Sequence, residues 1–299
     1  MRILKLEITD AFAGRKILSL LRNELCLSSG LTARVKLIEN GITLNGKPAR
    51  TNETVKSGDT LCVVIGHSGE HNADCTAMLS ILYEDDDILI IDKPAGAAVH
   101  GSRYDDNVES VEACVNKYYG NQHMFHPVSR LDKGTSGIMT IAKNGYMHER
   151  LAALLHSSGY KRIYLGIADG ELATQSGTVN LPIGRVDGSA IKRCIRDDGA
   201  IAVTHYQVLS STHGHSLLEF RLETGRTHQI RLHMAAIGHP LTGDWLYGTE
   251  NRALITRPAL HSSRLEFTHP LSNKKITISC GLPQDMAKLI SDFSLFTRA

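Results

Sequence analysis

His126-Pro-Val-Ser-Arg-Leu-Asp-Lys-Gly-Thr-Ser-Gly-Ile-Met-Thr-Ile-Ala-Lys-Asn144 is the stretch on which the reading of this chain turns. Arg130, Leu131 and Asp132 run into Lys133-Gly134-Thr135-Ser136-Gly137, and Ile138 to Ala142 then reads as an apolar strand. Gly, Ser and Thr permit tight backbone paths, and loop ends held by a rigid strand often carry chemistry. The residues alone allow two readings: a carboxylate aimed beside an Arg, or a surface turn with a solvated ion pair.

Upstream, apolar Ser80–Tyr83 and Ile88–Ile91 flank the acidic turn Glu84-Asp-Asp-Asp87, which predicts a hairpin. A helix is expected over 108–119 and another over 145–157, burying Leu151, Leu154 and Leu155. Tyr160 to Ala168 alternates as a strand, with Ile163, Leu165 and Ile167 on one face and Tyr160, Arg162, Tyr164 and Gly166 on the other. If the aliphatic face is the core, Tyr164 looks into whatever lies opposite; otherwise it is a half-buried packing residue. Residues 171–215 say less, beyond a turn and strand over Gly199–Leu209. Ser216–Glu223 predicts a strand that runs into Thr224-Gly-Arg-Thr-His-Gln-Ile-Arg231, where a helix begins and Gly238 ends it. Arg226 thus stands at a strand-to-helix corner, where a cation and free N–H groups favour an anion. Leu260–Phe267 and Lys275–Cys280 read as a closing hairpin, and 284–295 as a last helix. Strands outnumber helices and short turns join many of them, so the fold class expected is α+β. Its larger part is a mixed, mainly antiparallel sheet with flanking helices.

Residues 1–65 read as a small unit of their own: two short helices, a hairpin turning at Asn45-Gly46 and a final strand, Thr60–Ile65. That segment holds ten Lys/Arg against six Asp/Glu, although the whole chain has a formal charge of only +2. Arg15, Lys16, Arg22, Arg34, Lys36 and Lys47 would offer phosphates a salt-sensitive contact. The bland alternative is a set of solvated helix faces. The small, polar run over 66–78 reads as a linker to a larger domain at 79–299.

The six Cys are scattered and suggest neither a zinc ribbon nor a disulfide framework, and no H-E-x-x-H or other metal pattern is present. The first residues lack a signal-like apolar run and no stretch is long enough for a bilayer span, so a reducing cytoplasm and no membrane partner are expected.

Arg130-Leu131-Asp132 followed by Thr135-Ser136-Gly137 resembles the signature of the RluA-type pseudouridine synthases. The block ending Asp92-Lys93-Pro94-Ala95-Gly96 fits the same family. So does the Tyr164 block, loosely, since Arg162, Gly166 and Ala168 stand where Lys, Ala and Val are usual. The string from Thr224 through Asp244 and Tyr247-Gly248, and the stretch around Leu260–Phe267, complete the resemblance over nearly the whole chain. Residues 1–65 are similar to the alpha-L RNA-binding domain of ribosomal-protein type.

The resemblance implies conversion of a uridine in RNA to its carbon-linked isomer, with no cofactor and no metal. It implies Asp132 as the essential carboxylate, either attacking the sugar or acting as a base. Tyr164 would stack on the uracil and move a proton, Arg226 would pair with Asp132, and Arg130 would fill the place of the flipped base. Ribosomal RNA of the large subunit is the favoured partner and transfer RNA the alternative, with the chain expected as a monomer. Ser129 departs from the His usual before Arg-Leu-Asp, which bears on contacts to the substrate loop. Two other classes stay open: a non-catalytic RNA-binding or ribosome-assembly factor, and an Asp-dependent hydrolase or phosphotransferase. A D-x-D-x-T phosphotransferase would need an acid at Gly134.

Overall fold

The structure, a computed structural model, describes residues 2–66, 75–76, 78–101, 110–120, 125–155, 157 and 159–295. Most of the expected linker at 66–78 lies outside them.

The chain opens with β1 (Arg2–Glu7), α1 (Ile17–Asn23), α2 (Ser29–Val35), β2 (Ile42–Leu44), β3 (Lys47–Pro48) and β4 (Thr60–Ile65). These strands form one sheet in the order β1-β4-β2-β3. The first strand is absent from the sequence reading. It is an edge strand paired only with β4, with Leu4 and Leu6 turned inward between exposed Lys5 and Glu7. Ile17, Leu20 and Leu21 of α1 and Leu31 and Val35 of α2 pack against Leu61, Val63 and Ile65 of β4, a helical stripe against one sheet face. Ser28 caps α2, its Oγ accepting from Leu31 N–H.

The remainder comprises β5 (Ser80–Glu84), β6 (Ile88–Lys93), α3 (Val111–Tyr118), β7 (His126–Pro127), β8 (Ser136–Ala142), α4 (Gly145–Leu155) and β9 (Tyr160–Asp169). There follow β10 (Ser176–Asn180), β11 (Ile183–Arg185), β12 (Arg193–Ile195), β13 (Val203–Thr212) and β14 (His215–Leu222). Last come α5 (Gln229–Ala236), β15 (Leu260–Thr268), β16 (Lys275–Ser279) and α6 (Gln284–Asp292). A sheet of order β10-β13-β14-β9-β15-β8-β6-β5 runs through this part, with β16 on β15 and β7 on β8, while β11 and β12 form a separate hairpin. All strand pairs are antiparallel except β15 with β8, so the sheet is mixed, as the sequence suggests. The β8–β15 crossing is close: a Cβ at Gly137, whose φ is +105°, would come within 2.2 Å of Ser262 O. Only glycine fits there.

One open reading is decided and one expectation corrected. On β9 both faces are buried in part, Tyr160, Arg162 and Tyr164 on one and Ile167 on the other, where Ile163 and Leu165 are half-buried. Tyr164 belongs to the main apolar cluster with Leu131, Phe220, Ile230 and Leu260. A sheet covered on both faces blurs the alternation that a one-sided sheet would show. The correction concerns Cys75 and Cys114, which form a disulfide (S–S 2.00 Å) across 39 residues. Irregular spacing of cysteines does not reveal which pair the fold brings together.

The small sheet is docked on the large one rather than held off it. Tyr146 of α4 is buried in the apolar cluster of the N-terminal unit, and Leu271 touches that cluster as well. Glu149 of α4 accepts from the N–H and the Oγ of Ser28, placing a carboxylate at the start of α2. Arg2 lies 3.3 Å from Asp87 at the start of β6. Among the described residues, no helix is long and apolar enough to cross a membrane.

Candidate active site

Asp132 stands in the loop between β7 and β8, where the backbone is gripped on several sides. Its own carbonyl accepts from Thr135 N–H, closing the turn. The next carbonyl, on Lys133, accepts from Gly96 N–H at 2.8 Å and from the Lys93 ammonium at 3.3 Å. Lys93 is wholly buried and also donates to Pro94 O and Ala97 O, so its three hydrogens are matched by three carbonyls. Burial, with the nearby Arg257 adding to it, pushes its pKa down to about 8 against the pull of Asp132 and Asp92. One residue further along, Gly134 O accepts from Arg257 Nη1, while Asp285 anchors the other edge of that guanidinium at 2.7 and 2.8 Å. The Asp-Lys-Pro block therefore acts by holding the carboxylate loop. Arg257 does the same and escaped the sequence reading, for it lies in an unremarkable stretch and its partners are far along the chain.

The Asp132 side chain is 24% exposed at the edge of a cavity of about 730 Å³. Arg130, Tyr164, Arg226, His228 and Arg231 share its walls. Tyr164 is 6% exposed, and burial chiefly, with the Asp132 charge adding, holds its phenol pKa above the ordinary value despite the opposing Arg162. Arg130 is exposed at the rim and makes no ion pair or hydrogen bond among the described residues.

The cation facing Asp132 is not the expected one. Arg226 lies on the same cavity but is exposed, and its Nε donates to Ile201 O. Arg231, in the first turn of α5, brings Nη1 to 3.6 Å from Asp132 Oδ2. Its Nε and Nη2 fork onto both oxygens of the fully buried Asp244 at 2.7 Å each. Burial opposes the Arg231 charge, but the Asp244 and Asp132 carboxylates outweigh it and hold the pKa above its usual value. The displacement from Arg226 to Arg231 has a local cause. His228, just before α5, takes a left-handed backbone (φ +59°) that turns the chain between the two arginines.

His228 itself was overlooked as a site residue. Its Nε2 is 4.0 Å from Asp132 Oδ1 and its Nδ1 is 2.9 Å from Tyr247 Oη. Arg193 N–H also donates to that phenol oxygen, so Tyr247 ties His228 to the β12 strand. Burial lowers the His228 pKa, with Asp132 pulling the other way. The sequence did carry a signal, since both residues lie within the string that points to Arg226.

The six cations named in the N-terminal unit stand apart from this cavity. Lys16, Arg22, Arg34, Lys36 and Lys47 are exposed, whereas Arg15 is paired with Glu24 at 2.8 Å. Arg34 is the one that approaches the larger part, its Nη2 3.7 Å from where a Cβ on Gly145 would lie.

A loop-held carboxylate, a forked arginine, a buried tyrosine and a nucleotide-sized cavity suit acid–base or covalent chemistry on a base or sugar. Comparison with known proteins agrees. A family model described as RNA pseudouridylate synthase matches residues 87–236. A Bacillus subtilis (strain 168) protein named "Uncharacterized RNA pseudouridine synthase YjbO" is 38% identical over 274 residues, 89% of this chain and 95% of that one. The "Ribosomal large subunit pseudouridine synthase D" of Xanthomonas campestris pv. campestris is 36% identical over 302 residues, 95% of this chain and 90% of that one. Among solved structures, "Human RNA Pseudouridylate Synthase Domain Containing 4" aligns with a TM-score of 0.59 at 25% identity, covering 74% of this chain and 95% of the other.

Proposed function

This chain belongs to the RNA pseudouridylate synthase family, of the RluA type, and from that premise we propose that it isomerises uridines of large-subunit ribosomal RNA at Asp132. In the reaction the bond from ribose C1′ to uracil N1 breaks, the ring turns, and C5 bonds to the same C1′. The proton lost from C5 is matched by one gained at N1, so the reaction is redox-neutral.

The observation that carries this reading is the Asp132–Arg231 approach in a cavity walled by Tyr164. A carboxylate whose loop is clamped by Lys93 and Arg257 meets the sugar or its proton without reorganising. Arg231 sets a fixed cation 3.6 Å from that carboxylate. Tyr164 presents its ring to the uracil. As a phenol held protonated, it takes up the C5 proton only by passing its own onward. Arg130, free at the rim, occupies the gap in the RNA that flipping leaves, offsetting part of an unstacking cost of about a few kcal/mol.

The N-terminal unit is read as an alpha-L RNA-binding domain, supported by its exposed Lys16, Arg22, Arg34, Lys36 and Lys47. Large-subunit RNA is favoured over transfer RNA because several similar proteins, including those of Xanthomonas campestris and Zymomonas mobilis, are named for that substrate. The test is to map pseudouridine in total RNA from cells with the protein, without it, and with Asp132→Asn. Sites lost in both deficient strains, and lying in large-subunit RNA, are the expected result. Sites confined to transfer RNA would move the substrate, and no lost site would remove the reading.

A further inference from the structure

Arg162 is charged and nearly buried, and no partner among the described residues accounts for it. It sits on β9 two residues before Tyr164, on the same strand face, and lines the same cavity. It is only 9% exposed, its Nε is buried without a hydrogen-bond partner, and it forms no ion pair among the described residues. A buried guanidinium in that condition is costly unless an anion meets it in the working complex.

Its surroundings suit such an anion. Gly225 leaves it room, since a Cβ there would stand 2.8 Å from Arg162 Nη1. Gly225 leads to Arg226 and Thr227, which also line the cavity, and then to α5, whose N-cap His228 makes no side-chain cap. Gln229 N–H already donates to Arg226 O; the N–H groups that follow it at the helix start add to the positive potential.

We propose that Arg162 is a phosphate-binding residue, taking a backbone phosphodiester of the RNA beside the uridine that lies between Asp132 and Tyr164. The site deepens the isomerase reading and rests on it for the identity of the ligand. Residues two apart on a strand are about 6–7 Å apart, so one strand face holds the base through Tyr164 and the adjoining phosphate through Arg162. Arg forks onto two phosphate oxygens, which fixes the sugar's orientation as well as its distance from Asp132.

The test compares the full-length wild type with Arg162→Met and Arg162→Lys. The binding probe is an oligouridylate of about ten nucleotides, titrated across salt concentrations. Loss of one phosphate contact should reduce the slope of log affinity against log salt by about 0.7 for single-stranded RNA. We expect Met to lower affinity at low salt about tenfold and flatten the slope by that amount, with Lys restoring most of the slope. Melting of the Met variant should be no lower than wild type, since an uncompensated charge has gone. An unchanged slope overturns the proposal, whatever the melting temperature. Pseudouridine formation in ribosomal RNA by the same wild-type preparation separates the two readings. Activity with an unchanged slope removes the phosphate site alone. A flattened slope with an inactive wild type removes the isomerase and leaves the phosphate site standing.

Discussion

Arg231 brings one nitrogen to 3.6 Å from Asp132 while its other two lock onto Asp244, at 2.7 Å each. The guanidinium is thus fixed by a wholly buried carboxylate, and Asp132 meets a cation already in place. Removing the Asp244 fork would loosen the cation without touching the reacting groups.

Arg231→Lys should therefore lower the single-turnover rate at least about tenfold, or 1.4 kcal/mol. It should also lower stability by about 1–2 kcal/mol, because ammonium keeps the charge but not the fork. Arg226→Lys should change stability by no more than about 0.5 kcal/mol, as for other exposed positions. Rates and melting curves on the same preparations decide the order. A larger rate loss in the Arg226 variant would return the pairing with Asp132 to that residue.

Asp132→Asn removes a charge with little change of shape. Turnover should fall by more than about a hundredfold, with RNA affinity and melting temperature near wild type. Retention of a tenth of the isomerisation rate would exclude Asp132 from the chemistry.

His126 is packed against His148 (ring centroids 5.7 Å apart) beneath the docked N-terminal unit. Burial, then His148 and Arg34, push its pKa down to about 4. The unfolded chain, with an ordinary imidazole at about 6.5, takes up this proton first. Stability is therefore complete above about pH 6.5 and lost as the pH falls towards 4. The loss should be on the order of 2 kcal/mol after allowance for the ring's partial exposure. Denaturant melts at several pH values should show a flatter acid limb for His126→Gln, and an identical limb would contradict the assignment.

Tyr146 lies on α4 but is buried in the cluster of the N-terminal unit. Tyr146→Ala should cost about 3 kcal/mol, in the range for large core truncations, and should loosen the docking. Limited proteolysis should then cut between the two units, and deletion of residues 2–65 should lower the melting temperature of what remains. Unchanged stability of the deleted form would mean the two units are energetically independent.

What the sequence by itself determined was local. Gly-rich turns, strand alternation and the apolar run from Ile138 marked the Asp132 loop, the hairpin at 80–91 and the start of α5 to within a few residues, because turn chemistry and side-chain period act over short spans. Local pattern left Asp132 and Tyr164 open between site and packing or surface roles; the family resemblance singled them out, and they line one cavity. Tertiary structure decided what depended on distant residues meeting. Arg231 and not Arg226 faces Asp132, because His228 turns left-handed and β15 slots between β9 and β8. Arg257 grips the Asp132 loop across 123 residues, and Cys75 bonds Cys114 across 39. The period on β9 left open which face is the core, and the fold buries Tyr164 on one and Ile167 on the other. The edge strand β1 does alternate, Leu4 and Leu6 against Lys5 and Glu7, whereas the docking of Tyr146 left no periodic trace, for it is stabilised by partners remote in the chain.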